Sequence, residues 1–102
     1  MASVPASPVG FNAVKRALLA ALKSGDFQHE IRDDIDVKNQ LSTGALAPLA
    51  LVAIVNRATG SDHSTSPHHG DASITVHVLK TGGWYVKFYF LDPSTFFISV
   101  HQ

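Results

Sequence analysis

Eight consecutive residues, Trp84 to Leu91, divide their side chains between two faces. Trp84, Val86, Phe88 and Phe90 alternate with Tyr85, Lys87, Tyr89 and Leu91. A period of two is the signature of a half-buried strand. Glycines precede it at Gly82-Gly83, and Asp92-Pro93-Ser94-Thr95 follows it. Apolar alternation on both flanks then predicts a three-stranded antiparallel meander over 72–80, 84–91 and 96–101. Matching apolar sets across a three-residue Thr81-Gly82-Gly83 loop pairs Val78 with Val86, Val76 with Phe88 and Ile74 with Phe90. Phe90 then opposes Ile98, and Phe88 opposes Val100. One polar row results, His77–Lys87–His101, flanked by Tyr85 and Tyr89.

Upstream the period changes. Val14, Leu18 and Leu22 recur at spacing four, which predicts a helix over 12–23 with Asn12 as its N-cap and Ser24-Gly25 as its stop. A second, more buried helix is expected over 45–58, with Pro48 in its first turn and Asn56-Arg57 at its polar end. The stretch 27–39 fits no single period, and a short edge strand near 27–31 followed by a short helix is one solution. Residues 60–70, GSDHSTSPHHG, carry glycine, serine and proline and read as a loop. Residues 1–9 read as a flexible arm. The expected class is α+β, with two helices on one face of the C-terminal meander and a single domain over 10–102.

Composition narrows the functions open to such a chain. Its 102 residues, 45% hydrophobic, fit one globular domain. Eight basic residues balance eight acidic ones, so no strong phosphate-tracking patch is written into the charge. Without cysteine there is neither a disulfide framework nor a thiolate metal site. No targeting signal or bilayer-length apolar run is apparent, so the expected setting is soluble and cytoplasmic, away from membranes.

Six histidines form the titratable reserve near neutral pH. On the polar row, Lys87 beside the imidazoles of His77 and His101 offers the parts of metal-free RNA cleavage. An imidazole takes the 2′-hydroxyl proton, an imidazolium protonates the leaving 5′-oxygen, and an ammonium stabilises the phosphorane. Tyr85 and Tyr89 can stack on bases or contact phosphate. His63, His68 and His69 on the polar loop, with Arg57, are candidate substrate contacts. The plainer alternatives are a solvated sheet face and incidental loop histidines. Zinc held by the loop histidines with Asp62 or Asp71 is a third reading. The leading expectation involves neither metal nor cofactor.

Thr81-Gly82, Tyr85-Val86-Lys87-Phe88, Ile98-Ser99 and the terminal Val100-His101 resemble the MqsR-type toxins of bacterial toxin–antitoxin pairs, in the wider RelE-like group of small endoribonucleases. Upstream, Val14-Lys15 and Ser61-Asp62 fall at similar places. The resemblance spans about two-thirds of the chain but rests on about ten residues. It implies a RelE-like fold, a toxin that cleaves mRNA, a cognate antitoxin, and the ribosome as a candidate partner. Tyr85 and Lys87 carry over onto the active face. The family's lysine after the S-D pair does not: His63-Ser64-Thr65-Ser66 stands there. Its Trp-Gln-Asp segment is also missing. The competing class is a non-enzymatic interaction module: an antitoxin, an immunity protein or an inactive toxin homologue.

Overall fold

A computed structural model describes residues 10–30, 39–91 and 94–102. The expected arm 1–9, most of the unassigned stretch at 31–38, and Asp92-Pro93 lie outside the described residues.

Helix α1 runs over Phe11–Ser24 and buries Val14, Leu18, Ala21 and Leu22, the stripe that the spacing of four predicts. Its N-cap is Gly10 rather than Asn12. Gly25 ends it in the left-handed conformation (φ 78°), donating its N–H to Ala21 O at 2.9 Å. Strand β1, Phe27–His29, follows at once. The expected second helix, 45–58, is present but shorter, and a separate turn of helix precedes it. A single turn, α2 (Gln40–Thr43), is capped by Asn39, whose Oδ1 accepts from the Ser42 N–H at 3.1 Å. Gly44 interrupts, and α3 starts at Pro48 and runs to Asn56. Lys15 of α1 donates to the carbonyls of Asn56 and Ala58 at 2.9 and 3.0 Å. An ammonium there satisfies carbonyls that the end of α3 leaves open, and it ties α1 to α3.

A 3-10 turn, Gly60–Asp62, leads into a strand where a loop was expected. This β2, His63–Pro67, pairs antiparallel with β3, Thr75–Thr81. Four of its five residues are exposed. It is an edge strand held by its backbone ladder, so it lacks the apolar alternation that marks interior strands. Strand β4 is Trp84–Leu91 and β5 is Ser94–His101. Five strands therefore form one mixed sheet in the order β1-β5-β4-β3-β2, with β1 parallel to β5. The fold is α+β as expected, with the three-strand meander widened by the edge strand offered near 27–31, as β1, and by the unexpected β2.

The register differs by one residue from the expected one. Gly82 and Gly83 have φ of 58° and 81°, so they alone form a two-residue turn with both central residues left-handed. Thr81 then opposes Trp84, Leu79 opposes Val86, His77 opposes Phe88 and Val78 opposes Lys87. Between β4 and β5 the pairing is Val86 with Val100 and Lys87 with Ser99. A bulge then absorbs Ile98, so that Phe88 meets Phe97.

The consequence is a sheet that buries side chains on both faces. On the inner face Leu79, Val86, Phe88, Phe97 and Val100 pack with Val14, Leu18, Leu51 and Val55 of the helices. Each such fully buried side chain stabilises the fold by about 1.5–3 kcal/mol relative to exposure. On the outer face Val76, Tyr89 and Ile98 form a smaller cluster, with Ile74 and Phe96 against it. No described helix is long and apolar enough to cross a membrane.

Candidate functional site

Strand β4 keeps the face expected of it. Tyr85, Lys87 and Tyr89 point away from the helices, each about 7 Å along the strand from the next. His101 opposes Tyr85 from β5, and their rings stack at a centroid distance of 5.2 Å. On the other side Lys80 opposes Tyr85, its Nζ 5.9 Å from the ring centroid. The row across this end of the outer face is thus Lys80–Tyr85–His101, with Lys87 in the next row beside Val78 and Ser99. His101 Nδ1 lies 3.1 Å from the carbonyl oxygen of Gln102 and can donate to it, which assigns the Nδ1 proton and leaves Nε2 for other work.

His77 leaves that face. The one-residue difference in register turns it toward the helices, where it is 4% exposed. Its ring stacks on Phe88 and on His63, and its Nδ1 shares a hydrogen bond of 3.0 Å with His63 Nε2. Burial, and then the charge of His63, hold the His77 imidazole down to about 4, and burial lowers His63 as well. His77 is thus a neutral core residue, and the partly exposed His63 covers it. His63 consequently sits away from Lys87. Arg57 also falls on the helix side, at the C-cap of α3.

The other loop histidines go to the outer face. His68 follows β2 and is anchored by a tight turn. Its N–H donates to Ile74 O at 2.9 Å, and Asp71 accepts from the Ser73 N–H and hydroxyl at 3.0 and 2.6 Å. Those two bonds pull the Asp71 carboxyl below its usual range. The Gly70 N–H donates to His68 Nδ1 at 2.9 Å, which assigns the ring proton to Nε2. Nε2 donates to Glu30 Oε1 at 2.6 Å, and the same oxygen accepts from the Tyr89 hydroxyl at 3.2 Å. The His68 ring meets Tyr89 edge-on at 5.1 Å, and His69 stacks on His68 at 4.8 Å.

Glu30 is the residue that sequence reasoning missed. It stands just past β1, and its N–H donates to Phe97 O at 2.9 Å. The parallel pairing of β1 with β5 swings its carboxylate over Tyr89. Thirty-eight residues separate Glu30 from His68, so no local pattern signals the pair.

Of the nine residues singled out from sequence, six share the outer face: Tyr85, Lys87, Tyr89, His101, His68 and His69. Three do not: His77, His63 and Arg57. Among the described residues no three His, Asp or Glu side chains converge as metal ligands. Asp62 instead accepts from the Thr59 N–H at 2.8 Å and closes the 3-10 turn. No protein-family model, curated protein or solved structure matches this chain.

Proposed function

We propose that the outer sheet face cleaves RNA without a metal, and that the chain acts in the cytoplasm as a toxin similar to the MqsR type, restrained by a cognate antitoxin. The observation that carries this reading is a carboxylate clamped by an imidazole and a phenol on the same sheet face as Lys87. The residue roles differ from those expected at first, because His77 is in the core.

Glu30 is the general base. The bonds from His68 Nε2 and the Tyr89 hydroxyl help to orient its carboxylate, which takes the proton from the ribose 2′-hydroxyl. The 2′-oxygen attacks phosphorus, and the Lys87 ammonium stabilises the added negative charge on the phosphorane oxygens. The bond from phosphorus to the 5′-oxygen breaks. Protonated His101 gives its Nε2 proton to that oxygen. The products are a 2′,3′-cyclic phosphate and a 5′-hydroxyl. Tyr89, Lys87 and Tyr85 follow one another along β4, which sets Lys87 between the Glu30 side and the His101 side of this face. Tyr85 and the exposed Lys80 hold a neighbouring nucleotide by stacking and phosphate contact.

The test is cleavage of single-stranded RNA with and without a chelator, with the product ends identified. The expected result is chelator-resistant cleavage to cyclic phosphate ends, reduced about a hundredfold to a thousandfold in Lys87→Ala. Cleavage that chelator abolishes, or that Lys87→Ala leaves intact, overturns the mechanism. A chain that neither cleaves RNA nor arrests growth when expressed alone belongs to the non-enzymatic class.

A further inference from the structure

Helix α3 is apolar around most of its circumference, yet one side of it has no partner among the described residues. Leu49 is 71% exposed, and Ala50 and Ala53 are exposed beside it. Leu49, Ala53 and Arg57 recur at spacing four and form one stripe about 12 Å long. The stripe runs into a half-open groove of about 460 Å³ lined by Ala53, Ile54, Arg57, Thr81, Gly82 and Trp84. The groove lies on the helix side, at the β3–β4 turn, and so faces away from Glu30 and Lys87.

Two features define what fits here. The first is shape and polarity. An exposed leucine continuing into a tryptophan-walled groove is longer than a small molecule needs, and Trp and Arg together are the residue types that anchor protein interfaces. The second is charge. Arg57 makes no ion pair with any described residue, while the nearby Lys15 is engaged by the carbonyls of Asn56 and Ala58. A guanidinium at the end of an apolar stripe calls for a carboxylate on the occupant.

We infer that this groove docks an acidic amphipathic helix of another protein. Apolar residues at i and i+4 would cover Leu49 and Ala53 and fill the Trp84 groove. A Glu or Asp one turn further would pair with Arg57. Because the outer face stays open in such a complex, the partner need not block it, and the inference stands apart from the RNA-cleavage reading.

Trp84 is the only tryptophan in the chain, so its emission reports on the groove directly. The probe is a helical peptide of about 16 residues carrying Leu at i and i+4 and Glu at i+8 on an Ala/Lys/Gln background. The expected result is a saturable blue shift of Trp84. Glu→Gln in the peptide or Arg57→Ala in the protein should each weaken binding about tenfold, and together no more than either alone. Leu49→Ser, at an exposed position, should weaken binding without unfolding the chain. The inference is overturned by any of four results. One is no shift at millimolar peptide. Another is equal binding of the Gln peptide. A third is tighter binding of 3-phenylpropionate than of the peptide, which would mark a small-molecule site. The last is a concentration-dependent dimer abolished by Leu49→Ser, which would mean that a second copy covers the stripe.

Discussion

The chain builds two histidine-centred clusters on opposite sides of one sheet, and they behave differently. The inner pair, His63 and His77, is stacked between the sheet and Phe11, and His77 sits on Phe88. Its environment suppresses charge: the His77 imidazole is held to about 4. The outer cluster places His68 against a carboxylate and a phenol, with both ring nitrogens engaged and Lys87 two positions from Tyr89 on β4. The same side chain is a packing element in one place and an orienting group in the other. Strand parity decides which, and parity follows from the two-residue turn at Gly82-Gly83.

If the division holds, inner substitutions change stability and outer ones change activity. The largest effect should come from Phe88→Ala, which empties the space under His77. A fall of about 3–5 kcal/mol in unfolding free energy is expected by denaturant titration. A loss under about 1.5 kcal/mol would mean that the inner face is not the core.

Next in size is a pH effect from the inner pair. The folded-state pKa of His77 lies below its ordinary 6.5, so between about 4 and 6.5 the unfolded chain binds more protons than the folded one. The stability this contributes is complete above pH 6.5 and is lost as pH falls toward 4. His29 and His63, both lowered by burial, act in the same sense. Thermal unfolding midpoints should therefore drop between pH 7 and pH 5, and His77→Leu should flatten the drop. An unchanged slope in that variant would remove His77 as its source.

The smallest structural effect should come from the outer face. Tyr89→Phe keeps the ring against Phe96 and removes only the hydroxyl that reaches Glu30. About 1 kcal/mol of stability is expected to be lost. RNA cleavage should fall about tenfold as Glu30 loses one of the groups that orient it. A stability loss with unchanged cleavage would reduce the outer cluster to a structural latch.

Much of this is legible in the sequence. The stripe Val14, Leu18, Leu22 places α1, Pro48 marks the start of α3, and β4 has the limits its alternation implies. Tyr85, Lys87, Tyr89 and His101 share the face expected of them. What failed was the assumption that only one face of the sheet buries apolar groups. In Thr75-Val76-His77-Val78-Leu79 the valines alternate convincingly, yet they lie on the outer face, while Leu79 and His77 enter the main core. The Gly82-Gly83 pair, read as a two-residue left-handed turn, would have indicated the other parity. Nothing local announces the bulge at Ile98. Strand β2 was hidden because its serines and threonine need only the backbone of β3. Glu30 was hidden because its partners come from two other elements.

The central claim is that the working side of the sheet is the one carrying Glu30 and Lys87, and not the one carrying His77. Its most direct test compares RNA cleavage by Glu30→Gln and His77→Leu at equal concentrations of folded protein, with chelator present. Glu30→Gln should lose about a hundredfold to ten-thousandfold, and His77→Leu should cleave as wild type. Full activity in Glu30→Gln, with loss in His77→Leu, would contradict the account.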